Sequence, residues 1–261
     1  MRCAHAVVVS SCWQMCFRAT AERADFLLNL NNIPFRQIAA PNLPSSPRVV
    51  RPSRSSLGSL SGLMTHIFPE IFVVRHGQTV WNAAGRHQGR LDSPLTAKGQ
   101  RQAVAMAGML RREIGNLEGV TAFSSPQGRS LNTARIATAG MGAPIKQDAR
   151  LAEIAFGAWE GKTMREIRAS WPELATLAEQ DMVSWHFNAP EGEALLDIET
   201  RADSFLSSLR EPAVIFIHGV LSRVLRARWL GLDEGGMMDL PGGQGIIFHL
   251  HPDHGHRVIE K

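Results

Sequence analysis

Two stretches of this chain are apolar and stop at the same dipeptide. Phe72-Val73-Val74 runs into Arg75-His76-Gly77, and Ala213-Val214-Ile215-Phe216-Ile217 runs into His218-Gly219. A short apolar run closed by turn residues reads as a strand buried on both faces, the pattern of a largely parallel sheet covered by helices on each side. In open α/β sheets, ligands bind beyond the carboxyl ends of the strands. Two central strands that end in histidine therefore bring His76 and His218 towards one place. The glycines that follow let the backbone turn sharply and a ligand come close.

The sequence around these strands alternates in the same way. Residues 67–74 read as the first strand. Thr96 caps a helix running to about Arg112. Residues 120–125, "VTAFSS", are a short strand, and Pro126 to about Ala139 a helix ended by Gly140 and Gly142. Leu195, Ile198, Ala202, Phe205 and Leu209 share one helical face. The segment "VLSRVLRARWLGL" is helical, "GIIFHL" (245–250) is a last strand, and "PDHG" is a hairpin turn. Strands alternating with helices predict an α/β fold, with helices on both faces of a mostly parallel central sheet.

The net charge of +4 suggests a nucleic-acid partner until it is located. Residues 1–63 carry seven arginines, two acids and no lysine, which leaves 21 basic and 22 acidic residues in the other 198. The basic excess belongs to the front segment alone, so no nucleic-acid partner is expected. No run approaches the ~18 apolar residues of a membrane span, so no membrane partner is expected either. All three cysteines lie in the front segment, and neither a disulfide framework nor a cysteine metal site supports the rest. The stretch "PNLPSSPRVVRPSRSSLGSLSG" has no apolar period, and residues 1–63 are expected to be a disordered extension. An organelle transit peptide, a secretory signal ending near "ATA" and a mis-assigned start, with Met64 the true one, are the competing origins. The compact domain is expected over 64–261. Its location is expected to be cytoplasmic, or an organelle matrix if the front segment is a transit peptide.

A third strand end supplies an arginine: "FSSPQGRSLNTA" places Arg129 near the start of a helix. Arg75, Arg129 and two histidines make a cationic cup, and guanidinium forks match tetrahedral oxyanions, so phosphate is the expected guest. In "LAEIAFGAWEG", Glu153 is an acid in an otherwise apolar stretch, where a carboxyl tends to keep its proton as a general acid must. The tail "HLHPDHGHR" invites a metal site, but it reads better as a solvated hairpin. Glycine-rich "PGGQG" lacks the ending of a Walker loop and reads as a turn. Arg223, Arg226 and Arg228 have the spacing of a solvated helix face.

Five segments, "VVRHGQTVWN", "GRLDSPLTAKGQRQA", "FSSPQGRSLNTA", "LAEIAFGAWEGKT" and "IFIHGVLSRVL", resemble in type and order the histidine phosphatase superfamily, which includes the cofactor-dependent phosphoglycerate mutases. The resemblance covers most of residues 67–250. It implies a three-layer α/β/α sandwich of the phosphoglycerate mutase-like type with a small helical cap. It implies that His76 is a nucleophile forming a phosphohistidine, that Arg75, Arg129 and His218 hold the phosphate oxygens, and that Glu153 is the proton donor. It implies that Asn82 contacts phosphate, with Gln88 and Gly89 on the loop beside it and Glu160 structural. No metal and no cofactor are needed on this reading, and the partner is a small phosphorylated metabolite. Members of the family often dimerise, so a homodimer stays open.

Between the acid and the second histidine, this chain is shorter than the mutases and has no adjacent arginine pair. It offers Trp171, Met182, Trp185 and Phe187 instead, and Trp185 is taken as a substrate contact. An apolar lid over a phosphate cup suits a phosphatase acting on a broad or hydrophobic phosphomonoester better than a mutase acting on a glycerate. A non-catalytic module binding phosphorylated ligands is the reading of another class, and the intact set of site residues argues against it.

Overall fold

The computed structural model describes residues 68–142, 144–174, 177 and 185–260. The extension expected over 1–63, the start expected at Met64 and the cap residue Met182 lie outside the described residues.

The elements run β1 (Ile71–Arg75), α1 (Val80–Ala83), α2 (Ala97–Ile114), β2 (Thr121–Ser124), α3 (Gly128–Ala137), β3 (Ile145–Gln147), α4 (Met164–Ser170), α5 (Leu195–Leu206), β4 (Ala213–Ile217), α6 (Gly219–Leu230), α7 (Glu234–Asp239), β5 (Ile247–His251) and β6 (Gly255–Ile259). They build one six-stranded sheet in the order β3-β2-β4-β1-β5-β6. The pairs β1–β4, β2–β4 and β2–β3 are parallel, while β5 runs antiparallel to both β1 and β6. The sheet is thus mixed, with the hairpin expected from "PDHG" forming an antiparallel edge. Sequence periodicity missed β3, a three-residue strand with two exposed positions.

The two apolar runs lie side by side at the centre, with Val73 opposite Ile215 and Arg75 opposite Ile217. Each splits its side chains between two cores. Ile71, Val73, Ala213, Ile215 and Ile217 face the layer that includes α5 and α6, with Phe205, Leu221 and Leu225. Phe72, Val74, Val214 and Phe216 face α2 and α3, with Met106, Leu110 and Ala134. Burial on both faces is why these strands show no alternation.

Local chemistry fixes the helix entries around the site. Thr79 and Asn82 form a reciprocal capping box at α1, Thr96 caps α2 through Gly99 N, and Thr163 and Glu166 form a second box at α4. The turn after β1 is glycine for lack of space, and its φ is not positive. A Cβ on Gly77 would lie 2.4 Å from Gly99 O, so backbone packs on backbone at the entry of α2.

Candidate active site

Strands β1 and β4 end level, and His76 and His218 leave them with ring centroids 5.2 Å apart. His76 Nδ1 lies 2.8 Å from Gly77 O. A carbonyl only accepts, so Nδ1 carries the proton and Nε2 keeps its lone pair. Burial, then the charges of Arg129 and Arg75, hold the His76 imidazole well below the usual histidine range, with the Gly77 carbonyl working the other way. His218 is fully buried, and neither ring nitrogen has a hydrogen-bond partner. Burial, followed by the charges of Arg129, His76, Arg75 and Arg201, holds it well below that range too.

Arg129 enters from the first turn of α3 and is 1% exposed. Its Nη1 donates to Leu91 O at 2.7 Å and Asp92 Oδ1 at 2.9 Å, and its Nη2 donates to Gly89 O at 2.9 Å. These bonds fix the guanidinium and fold the 88–92 loop around it. Its Nε is left buried without a partner. Arg75 donates through Nη1 to Gly243 O at 3.4 Å, and its Nε is also buried and unpartnered. The Arg75 Cζ would lie 3.2 Å from a Cβ on Gly219, so the second His-Gly glycine makes room for the first strand's arginine. Burial works against the Arg75 cation, Glu153 works for it, and Arg223 and Arg129 work against it.

Glu153 is 7% exposed, but its surroundings differ from the apolar ones expected. Its Oε1 accepts from Ile154 N and Leu221 N, both at 3.1 Å, and its Oε2 accepts from Val220 N at 3.3 Å. The carboxyl therefore caps α6 from outside. His218, the N-cap residue of that helix, supplies no side-chain cap of its own. Periodicity could not show this, because the donors belong to a segment about 67 residues away.

Arg75, His76, Asn82, Gln88, Gly89, Arg129 and Glu153 all line one cavity of about 610 Å³. His218, expected to hold phosphate, is fully buried and is not on that wall. Asn82 Oδ1 accepts from Thr79 N and Gln244 Nε2, which leaves its amide N–H2 as the donor end. The Gln88 Oε1 is buried without a partner.

Trp185 does not join them. It is fully buried and stacks on Trp159 with centroids 4.1 Å apart, so it is core rather than cavity wall. The next two residues, His186 and Phe187, are on the wall, with His87 and Phe156. Arg226 is a second correction: it is 1% exposed and lines the cavity, and Arg223 lines it too. Only Arg228 of that trio faces outward, paired with Asp203 at 2.7 Å.

Three positioning residues were passed over in the sequence. Gln127 accepts from Glu153 N and donates to Gly89 O, both at 2.8 Å, and so ties the acid's loop to the phosphate-side loop. Asp92 holds Arg129. Glu193 pairs with Arg201 at 2.6 Å and Arg90 at 3.2 Å and accepts from Ala155 N. Glu160 accepts from Arg90 N and Phe156 N, a loop-holding arrangement. The tail histidines lie on the β5–β6 hairpin, where His249 meets Glu70 at 2.6 Å and His251 stacks on His254. Among the described residues, no helix is long and apolar enough to cross a membrane.

Comparison with known proteins places this geometry. Residues 71–261 match the histidine phosphatase superfamily (branch 1). An acid phosphatase of Mycobacterium tuberculosis is 34% identical over 179 residues, covering 66% of this chain and 81% of its own. A probable phosphoglycerate mutase GpmB of Escherichia fergusonii is 33% identical over 171 residues, covering 62% of this chain and 75% of its own. The native structure of a mycobacterial glucosyl-3-phosphoglycerate phosphatase superposes with a TM-score of 0.61 at 28% identity, over 74% of this chain and 98% of that one. With its family match spanning the whole described sheet and both His-Gly strand ends, the chain belongs to the histidine phosphatase superfamily, branch 1.

Proposed function

We propose that the protein is a phosphomonoesterase that works without metal through a phosphohistidine on His76. One observation carries the reading. A buried imidazole with its Nδ1 proton committed to Gly77 O stands among four buried, unpartnered polar atoms: Arg75 Nε, Arg129 Nε and both ring nitrogens of His218. Buried donors without partners are costly, and a tetrahedral dianion supplies the acceptors that the two arginine Nε–H groups lack.

On this reading, His76 Nε2 attacks phosphorus and the P–O bond to the leaving group breaks. Arg75 and Arg129 meet the equatorial oxygens, with Asn82 and the Gln88–Gly89 loop beside them, while His218, off the cavity wall, packs its ring 5.2 Å from that of His76. Glu153 gives its proton to the leaving oxygen. Water then attacks phosphorus, the P–N bond breaks, and the water proton passes to Glu153. Oε2 is the oxygen for this work, because Oε1 already accepts two main-chain N–H bonds. The substrate is a small phosphorylated metabolite. The aromatic wall of His87, Phe156, His186 and Phe187 suits an organic leaving group, and the acid phosphatase relative supports hydrolysis over transfer.

The test is phosphate release by the full chain in EDTA from a panel of phosphomonoesters. The panel includes 3-phosphoglycerate with and without 2,3-bisphosphoglycerate. Expected are phosphate release and an acid-labile, base-stable phosphoryl label that is absent from His76→Ala. Loss of all release in EDTA, or formation of 2-phosphoglycerate in place of phosphate, overturns the reading.

A further inference from the structure

The cavity runs on past the phosphate cup. Beyond Arg75 it is lined by Ser222, Arg223 and Arg226 of α6, with Met237, Met238, Gly242 and Phe248 around them. Three features of this arm have no part in the reaction described above.

The first is a buried cation without a counter-ion. Arg226 stacks over Phe248, with Cζ 3.7 Å from the ring centroid. It donates to Ser222 O at 3.0 Å and Pro241 O at 2.8 Å, and its Nη1 lies 3.3 Å from His256 Nε2. Among the described residues no carboxylate pairs with it. Charged residues are seldom fully buried unless paired, because carbonyls and a ring face meet only part of the lost hydration. Burial first, and the Arg223 charge second, work against the Arg226 cation.

The second is Arg223, which also lines the cavity and has no carboxylate partner among the described residues. Among the described residues its one side-chain hydrogen bond is to Met238 O at 3.0 Å, and its Nη2 would lie 3.2 Å from a Cβ on Gly242. Its charge acts on Arg75 and on Arg226, so it bridges the cup and the far arm electrostatically. The third is Ser222, 2% exposed, whose Oγ is buried on the same wall with no partner.

Ser222 Oγ and the Nε and Nη2 of Arg223 are donors without partners among the described residues, and Arg226, whose three guanidinium nitrogens are already engaged, adds an uncompensated charge one turn on. We propose that Ser222, Arg223 and Arg226 form a second anion subsite, which takes a carboxylate or further phosphate group on the same substrate whose scissile phosphate occupies the cup at His76. The proposal rests on the phosphomonoesterase reading for the first phosphate only. It narrows the substrate class to phosphomonoesters that carry a second anionic group.

Binding separates the two claims. Calorimetry on the full chain carrying His76→Ala, which cannot turn substrate over on this reading, compares glycerol 3-phosphate with 3-phosphoglycerate and phenyl phosphate with 4-carboxyphenyl phosphate. The pairs differ in how far the added charge lies from phosphorus. The charged member of at least one pair is expected to bind at least about tenfold more tightly, about 1.4 kcal/mol. Adding Arg223→Met should bring that preference below about threefold, and Ser222→Ala should lower it in part. Circular dichroism melts check that each variant is folded. Equal binding within both pairs, or a preference that survives Arg223→Met, overturns the subsite and leaves the phosphate cup standing. Failure of all four esters to bind overturns the cup and the subsite together.

Discussion

Replacing Glu153 tests architecture and chemistry in one experiment, because the same carboxyl caps a helix and is the proposed proton donor. Glu153→Ala orphans the N–H groups of Val220 and Leu221 at the start of α6 and of Ile154 beside it. Losing a cap costs about 1 kcal/mol, and losing a carboxyl near a helix N-terminus costs up to about 2 kcal/mol when partly buried. The sum is about 3 kcal/mol. For a domain of this size each kcal/mol moves Tm by about 2–4 °C, so the melt should fall by about 6–12 °C. Glu153→Gln keeps one oxygen acceptor but loses the carboxyl, the larger of the two contributions, and should lose about 4–8 °C. Activity should divide differently. The glutamine protein cannot donate a carboxyl proton, so turnover of alkyl phosphates should fall by about 10²–10⁴-fold, while p-nitrophenyl phosphate, whose leaving group needs little protonation, should lose far less. The assay is a thermal melt of both variants beside initial rates on the two ester types. An alanine variant that melts within 2 °C of the parent, about 1 kcal/mol or less by the same scaling, refutes the capping account. Equal slowing of both ester types by glutamine refutes Glu153 as the acid.

His76→Ala should abolish turnover while leaving Tm within about 3 °C, since the ring adjoins an existing cavity and its one hydrogen bond among the described residues is to Gly77 O; retained turnover in folded protein removes it as nucleophile. Stability should fall as pH drops below about 6.5, because the unfolded chain then protonates histidines that the fold holds neutral; His76 and His218 each contribute up to about 1.4 kcal/mol per pH unit, stability that is complete above that pH. Urea midpoints at pH 7.5, 6 and 5 measure this, and a slope no shallower in His76→Ala than in the parent contradicts it. Gly77→Ala should cost about 3 kcal/mol in urea unfolding, because its Cβ would meet the main-chain Gly99 O at 2.4 Å; a loss under about 1 kcal/mol would mean that the turn relaxes.

The elements and strand ends that build the site were legible for one physical reason. A strand buried on both faces must be apolar throughout, so the residue at which polarity returns marks its carboxyl end, where α/β sheets present side chains. His76 and His218 follow directly, and Arg129 follows from the turn after "FSS". Orientation was less legible. Arg223 and Arg226 have the spacing of an exposed stripe, and a helical wheel cannot distinguish solvent from a cavity wall. Trp185 and Phe187 lie two residues apart in one aromatic segment, yet one is core and the other wall, because Trp159 supplies a stacking partner that no local pattern announces. The surroundings of Glu153 were misjudged for a related reason. Its neighbours in sequence are apolar, but its neighbours in space are main-chain donors of α6.

Arg129 shows how the fold can hold a site poor in counter-ions. Three of its contacts, to Leu91 O, Asp92 and Gly89 O, are spent on the loop, so the guanidinium cannot swing and its Nε direction is set by the protein. Arg75 has one long bond, to Gly243 O, and depends on packing against Gly219 for its direction. The two arginines therefore differ in rigidity even if both meet phosphate. Preorganised donors stabilise developing charge without reorganising as it forms, which favours the rigid one during the chemical step. The looser Arg75 sits beside the Gly242–Gly243 loop, whose other end Arg226 holds through Pro241 O. An anion drawing on Arg223 and Arg226 would act on the same loop that positions Arg75. Occupancy of the far arm and alignment of the cup are thus joined through three residues of chain, Pro241 to Gly243, so a second negative charge on the substrate would raise turnover as well as affinity.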